Sequence, residues 1–135
     1  MASQLFKAGA LLAYANEELF PTLGEHETSS VATLLLENYF ELSRLDFLKN
    51  TELEVSETSY SAFKAAIERL KDGEPIQYII GHGWFYGRKF TVNHSTLIPR
   101  GETEELVRLV LKNISQPQAS ILDVGTGTGC IAITL

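Results

Sequence analysis

Three glycines in five residues, Gly125-Thr126-Gly127-Thr128-Gly129, directly follow the apolar segment Ser120-Ile-Leu-Asp-Val. No other stretch of the chain limits its fold so tightly. Residues 119–124 read as a strand, and an apolar run of this kind suits a strand covered on both faces, as in a parallel sheet. The glycines let the backbone turn sharply off that strand and approach a ligand with no Cβ in the way. Cys130-Ile-Ala-Ile-Thr then starts a helix, whose first N–H groups would point into the same crevice. Strand, loop and helix start form one half of a nucleotide-type site. The sequence stops at Leu135, so the expected domain is truncated. A lone strand with open edges should fray, self-associate or pack irregularly.

Charge and cysteine usage narrow the function classes. The net charge is −6, which argues against a general nucleic-acid surface, since phosphate binding needs clustered Lys and Arg. Residues 1–73 hold 12 acidic and 6 basic side chains, whereas residues 74–135 hold 5 of each. The acidity belongs to the N-terminal part, as a solvated helical surface or as a face for a basic protein partner. Cys130 is the only cysteine, which excludes an internal disulfide and a cysteine-based metal site and fits a reducing cytoplasm. His26, His82 and His94 are scattered without metal-ligand spacing. No long apolar run and no basic-start signal pattern occur, so a cytoplasmic protein without a membrane partner is expected.

The chain changes character at Gly73-Glu-Pro. Before it, helical periodicity dominates. Leu5, Ala8, Leu12, Ala15 and Leu19 form one face of a helix over residues 3–20, ended by Pro21. Thr22 and Glu25 have capping-box spacing for a second helix to about Phe40, with Val31, Leu34 and Leu35 inward and Leu42 beyond. A short helix follows over Arg44–Lys49. Ser56 reads as the N-cap of another, with Tyr60, Phe63, Ile67 and Leu70 as its stripe and Gly73 and Pro75 as its stop. Residues 1–73 thus read as a helical bundle. Residues 77–92, rich in aromatic and β-branched residues and broken by glycines, read as a β-hairpin turning near Gly87. Pro99 forbids a regular interior, and Glu102, Glu104 and Glu105 suit the first turn of a helix carrying Leu106, Val107, Val110, Leu111 and Ile114. Ser115-Gln-Pro-Gln is a loop.

Four readings of the glycine loop compete. A P-loop needs Lys-Ser/Thr after its last glycine, and none is present. A dinucleotide fingerprint counted from Gly125 needs a sixth-position glycine where Cys130 stands. The S-adenosylmethionine loop of class I methyltransferases fits every position. A plain strand-to-helix turn is the fourth reading. Asp123, at the strand end, suits either a brace for the loop amides or a direct ligand to an ammonium group.

From Gly73 onward the chain resembles one family. The segments Gly73-Glu-Pro-Ile-Gln-Tyr-Ile-Ile-Gly, Phe85-Tyr-Gly-Arg-Lys-Phe-Thr-Val, Leu97-Ile-Pro-Arg-Gly-Glu-Thr-Glu and Ile121-Leu-Asp-Val-Gly-Thr-Gly-Thr-Gly occur in that order. This is similar to the HemK/PrmC family, whose members methylate the glutamine of the Gly-Gly-Gln loop in peptide chain release factors. The resemblance implies a helical N-terminal domain over residues 1–73 that helps hold the release factor. It implies a β-hairpin linker over 74–96, and the start of an α/β Rossmann-like class I methyltransferase domain over 97–135. It implies S-adenosylmethionine as cofactor, bound through Gly125, Thr126, Gly127, Thr128 and Gly129, with Arg100 and Thr103 near the pocket. Gly101 stands where the family usually has Pro, which frees that loop.

The family's catalytic Asn-Pro-Pro-Tyr signature is not in this sequence, since none of Asn16, Asn38, Asn50, Asn93 or Asn113 precedes a Pro-Pro pair. An amide nitrogen is a poor nucleophile because its lone pair is delocalised, so the step depends on holding it in line with the methyl sulfonium. The 135 residues alone are therefore expected to be inactive, with no catalytic residue assigned. Two alternatives stay open: a release-factor-binding module without chemistry, and a related methyltransferase acting on another protein or a nucleic acid.

Overall fold

The computed structural model describes residues 3–114 and 119–135. The expected loop Ser115-Gln-Pro-Gln lies outside the described residues. The chain divides into two compact units, the first ending at Ile80 and the second beginning at Gly81.

The first unit is not purely helical. It opens with a strand, β1 (Ser3–Lys7), where the periodicity predicts a helix. Helix α1 (Ala8–Phe40) follows, then α2 (Arg44–Lys49), strand β2 (Glu52–Ser56), α3 (Glu57–Lys71) and α4 (Ile76–Ile80). β1 and β2 pair antiparallel, with Leu5 opposite Glu54 and Lys7 opposite Glu52. Leu5 is 63% exposed and so does not belong to the buried stripe. That stripe is Ala8, Leu11, Ala15 and Leu19, one residue off the expected Leu12.

Pro21 does not end the helix. The break in α1 comes at Gly24, whose φ of 72° and ψ of −177° leave the helical region. Glycine takes this φ without a Cβ penalty, so the bend settles there rather than at the proline. Thr22 keeps helical backbone and therefore is not an N-cap, contrary to the capping-box expectation. Beyond the break Ala32, Leu35 and Leu36 lie in the core, and Leu42 joins it.

The smaller helices follow their caps. α2 starts at Ser43, whose side chain and backbone exchange hydrogen bonds with the Asp46 residue in a capping box. α3 starts where expected: the Ser56 hydroxyl accepts from the Ser59 N–H at 3.1 Å. Phe63, Ala66, Ile67 and Leu70 are its buried residues. Phe63 sits among Tyr14, Tyr39, Phe40 and Tyr60, with ring centroids 5.1–6.3 Å away. Gly73, at φ 86°, ends the helix. Arg69 and Glu74 pair in a fork across that turn at 2.6 Å.

Residues 76–80 are helical, not part of the hairpin. Pro75 presets the first turn, and its carbonyl accepts from Tyr78 and Ile79. Ile76 is buried against the first unit's core, a gain that overrides the strand propensity of Ile-Gln-Tyr-Ile-Ile.

The second unit holds β3 (His82–Phe85) and β4 (Arg88–Thr91), paired antiparallel, then α5 (Gly101–Asn113) and α6 (Cys130–Thr134). The hairpin turns at Tyr86 and Gly87, both at positive φ (51° and 73°). That is the primed two-residue turn matching the twist of its strands. Phe85, Phe90, Val107 and Cys130 form the core.

The strand expected over residues 119–124 is not formed. A strand needs a ladder partner, and none is present among the described residues. Leu122 and Val124 are 87% and 85% exposed as a result. The described structure is mixed helix with small antiparallel pairs, and a Rossmann-like sheet is not among its elements.

Candidate functional site

The glycine loop is built by the conformation that only glycine adopts cheaply. Gly125, Gly127 and Gly129 have φ of 79°, 56° and 77°. A Cβ on Gly125 would meet nothing within 4 Å, and one on Gly127 only the Gly125 carbonyl at 3.9 Å. The loop therefore presents bare backbone over open space. Gly129 differs, since a Cβ there would come within 3.1 Å of the Ile133 side chain. It is the close-packing glycine at the start of α6. The loop is pinned by the Gly129 N–H donating to the Thr126 carbonyl at 2.8 Å and the Thr126 hydroxyl donating to the Asp123 carbonyl at 3.2 Å.

Asp123 carries the second feature of the site. Its Oδ2 atom is shielded from solvent and has no hydrogen-bond partner among the described residues. A shielded carboxylate oxygen without a donor is costly, and it fits a site completed by a donor on a ligand. The open glycine backbone and this oxygen leave room for a ligand that brings a hydrogen-bond donor.

Arg100 and Thr103 stand at the start of α5. Arg100 is the exposed N-cap residue of α5, and its carbonyl accepts from the Thr103 N–H at 3.1 Å. No hydrogen bond joins either side chain to the loop among the described residues. Cys130 is a buried packing residue, as expected for a small apolar side chain. No group of His, Cys, Asp and Glu that could hold a metal occurs among the described residues.

Sequence reasoning missed what supports the loop. Phe85 and Phe90, from the hairpin expected to be a linker, pack on Cys130 and Val107. Glu104, expected only to favour the dipole of α5, accepts a hydrogen bond from the Tyr86 N–H at 2.7 Å. The one available signal was Tyr86-Gly87, since a primed turn leaves an N–H that the strand ladder does not satisfy.

The first unit offers a separate surface. A cleft of about 640 Å³ is lined by Leu12, Thr33, Leu34, Phe47 and Leu48, with Glu37 and Arg44 on its walls. Leu48 is 82% exposed and Leu45, on the same short helix, 60%. Leu48 thus gives the cleft an exposed apolar wall.

Residues 10–81 match the family model described as the PrmC N-terminal domain. The chain belongs to the PrmC family. The matched segment covers nearly all of the first unit and ends at its boundary. Release factor glutamine methyltransferases are similar along most of the chain. The protein of that name from Flavobacterium psychrophilum is 41% identical over 115 residues, which is 82% of this chain and 40% of the relative. The Bacillus subtilis protein is 40% identical over 117 residues, 83% of this chain and 40% of the relative. The Staphylococcus aureus protein is 42% identical over 104 residues, 77% of this chain and 37% of the relative. The chain thus spans about 40% of the length of these PrmC relatives. No helix among the described residues is long and apolar enough to cross a membrane.

Proposed function

We propose that this chain supplies the substrate-docking domain and the first part of the cofactor site of an S-adenosylmethionine-dependent release factor glutamine methyltransferase. The observation that carries the reading is the match of residues 10–81 to the PrmC N-terminal domain, joined to relatives of that name about 40% identical. The reaction is transfer of a methyl group to the side-chain amide nitrogen of the glutamine in the release factor's Gly-Gly-Gln loop. In this account the docking domain expected over residues 1–73 extends to Ile80, the hairpin segment follows it to residue 96, and residues 97–135 begin a Rossmann-like methyltransferase domain. A cytoplasmic location accords with a release-factor substrate.

The loop Gly125, Thr126, Gly127, Thr128 and Gly129 holds the cofactor in this account. S-adenosylmethionine, when bound, supplies an electrophilic methyl group on a sulfonium. The chain's own residues bind and orient. The bare backbone at Gly125 and Gly127 admits a ligand at close range, and the orphan Asp123 oxygen accepts hydrogen bonds from a ligand N–H group. The apolar cleft beside α2, with the exposed Leu48, is the docking face for the release factor. No Asn-Pro-Pro-Tyr segment is within the 135 residues, and in this account they orient substrate and cofactor without driving transfer.

The test joins retention to transfer. The 135-residue chain is immobilised, and release factor is passed over it with S-adenosylmethionine carrying a labelled methyl group. The release factor should be retained while its glutamine stays unlabelled. Failure of retention removes the docking assignment. Labelled glutamine removes the assignment of the transfer step to residues outside this chain.

A further inference from the structure

We propose that Glu104 is a positioning residue for the glycine loop, acting through the hairpin turn that it clasps to α5. The Tyr86 N–H is the first amide of a two-residue primed turn, so the ladder between β3 and β4 cannot satisfy it. Glu104 Oε1 accepts from it at 2.7 Å, in a partly buried setting. A charged acceptor on a backbone N–H is among the stronger hydrogen bonds.

The clasp reaches the loop in two packed steps. The residue before the turn, Phe85, is fully buried and touches Phe90 edge-on with ring centroids 6.2 Å apart. Those rings pack with Val107, one turn along α5 from Glu104, and with Cys130. Cys130 is the residue at which α6 leaves the loop, directly after Gly129. Arg88, on the far side of the turn, also brings its guanidinium within 3.5 Å of the Ile133 carbonyl in α6. Seating Cys130 fixes one end of Gly125–Gly129. The expected strand at the other end is not formed, and the hairpin core supports the loop from its Cys130 end. The hairpin is therefore part of the site rather than a linker. Its effect on cofactor binding rests on the reading of the loop given above. Its effect on the loop's order does not.

The experiment compares the 135-residue chain with Glu104→Ala, Glu104→Gln and Glu102→Ala by amide hydrogen exchange read residue by residue. Glu102→Ala removes a carboxylate from the same first turn, one with no hydrogen bond to the hairpin among the described residues, and so controls for the helix dipole. In Glu104→Ala the bonded amides of Gly129 and Ile133 should exchange about tenfold faster, as loss of a charge-assisted bond implies. Glu104→Gln keeps an acceptor oxygen and should restore most of the protection. Glu102→Ala and the amides of the first unit should match the parent chain. Unchanged exchange at Gly129 in Glu104→Ala overturns the proposal, as does equal loosening in Glu102→Ala. S-adenosylmethionine is titrated into the same proteins, and Glu104→Ala should bind about tenfold more weakly. A parent chain that takes up no S-adenosylmethionine would remove the cofactor reading and leave the exchange result to decide the clasp.

Discussion

Asp46 shows how a single half-buried side chain shapes this chain's response to acid. The Ser43 hydroxyl and then the Ser43 N–H donate to its carboxylate, the latter at 2.8 Å, and hold its pKa below the usual aspartate value. The folded value is the lower one, so the contribution is complete above the unfolded pKa and is lost as pH falls through the folded pKa. Solvent screening keeps the effect small. Thermal midpoints measured from neutral to acidic pH should therefore decline more steeply for the parent chain than for Asp46→Asn. Parallel declines would show that the Ser43 cap carries no pH-dependent stability. Tyr86 is the residue-scale counterpart in the second unit. A non-glycine residue at φ 51° persists where its surroundings hold it, and the Glu104 carboxylate and the Phe85 core supply that hold.

At the scale of elements, a substitution pair separates the strand at the N-terminus from the helix that periodicity suggests. Leu5→Ala, on β1, should change unfolding stability by no more than about 0.5 kcal/mol. Leu11→Ala, in the buried stripe of α1, should cost about 2–5 kcal/mol. Chemical denaturation of the two variants measures both, and a large loss at Leu5 would restore the helical assignment. The elements legible in the sequence were those whose start and stop are local chemistry. Ser56 before α3, Gly73 after it and Gly87 in the hairpin each act within a few residues. The illegible ones depend on distant partners. β1 exists because Glu52–Ser56 lies beside it, and α4 is helical because Ile76 is drawn into the first core. Residues 119–124 have the composition of a strand, and a strand without a neighbour does not form. The site divides in the same way. Three positive-φ glycines were readable from their spacing, whereas the bond from Tyr86 to Glu104 links a backbone amide to a side chain far along the chain.

Over the whole molecule, two units with separate cores carry separate parts of the proposed activity. The first has a continuous core from Ala8 to Ile76 and corresponds to the PrmC N-terminal domain. The second assembles the hairpin, α5 and α6 behind the glycine loop. Its outer residues Leu109, Leu122 and Val124 remain exposed. On the proposed reading, recognition of the release factor belongs to the first unit and does not wait on cofactor. The direct test is hydrogen exchange of the 135-residue chain with and without purified release factor, in the absence of S-adenosylmethionine. The account predicts slowed exchange confined to the first unit, strongest around Leu12, Thr33 and Phe47. Unchanged exchange across residues 3–80 at saturating release factor would contradict it.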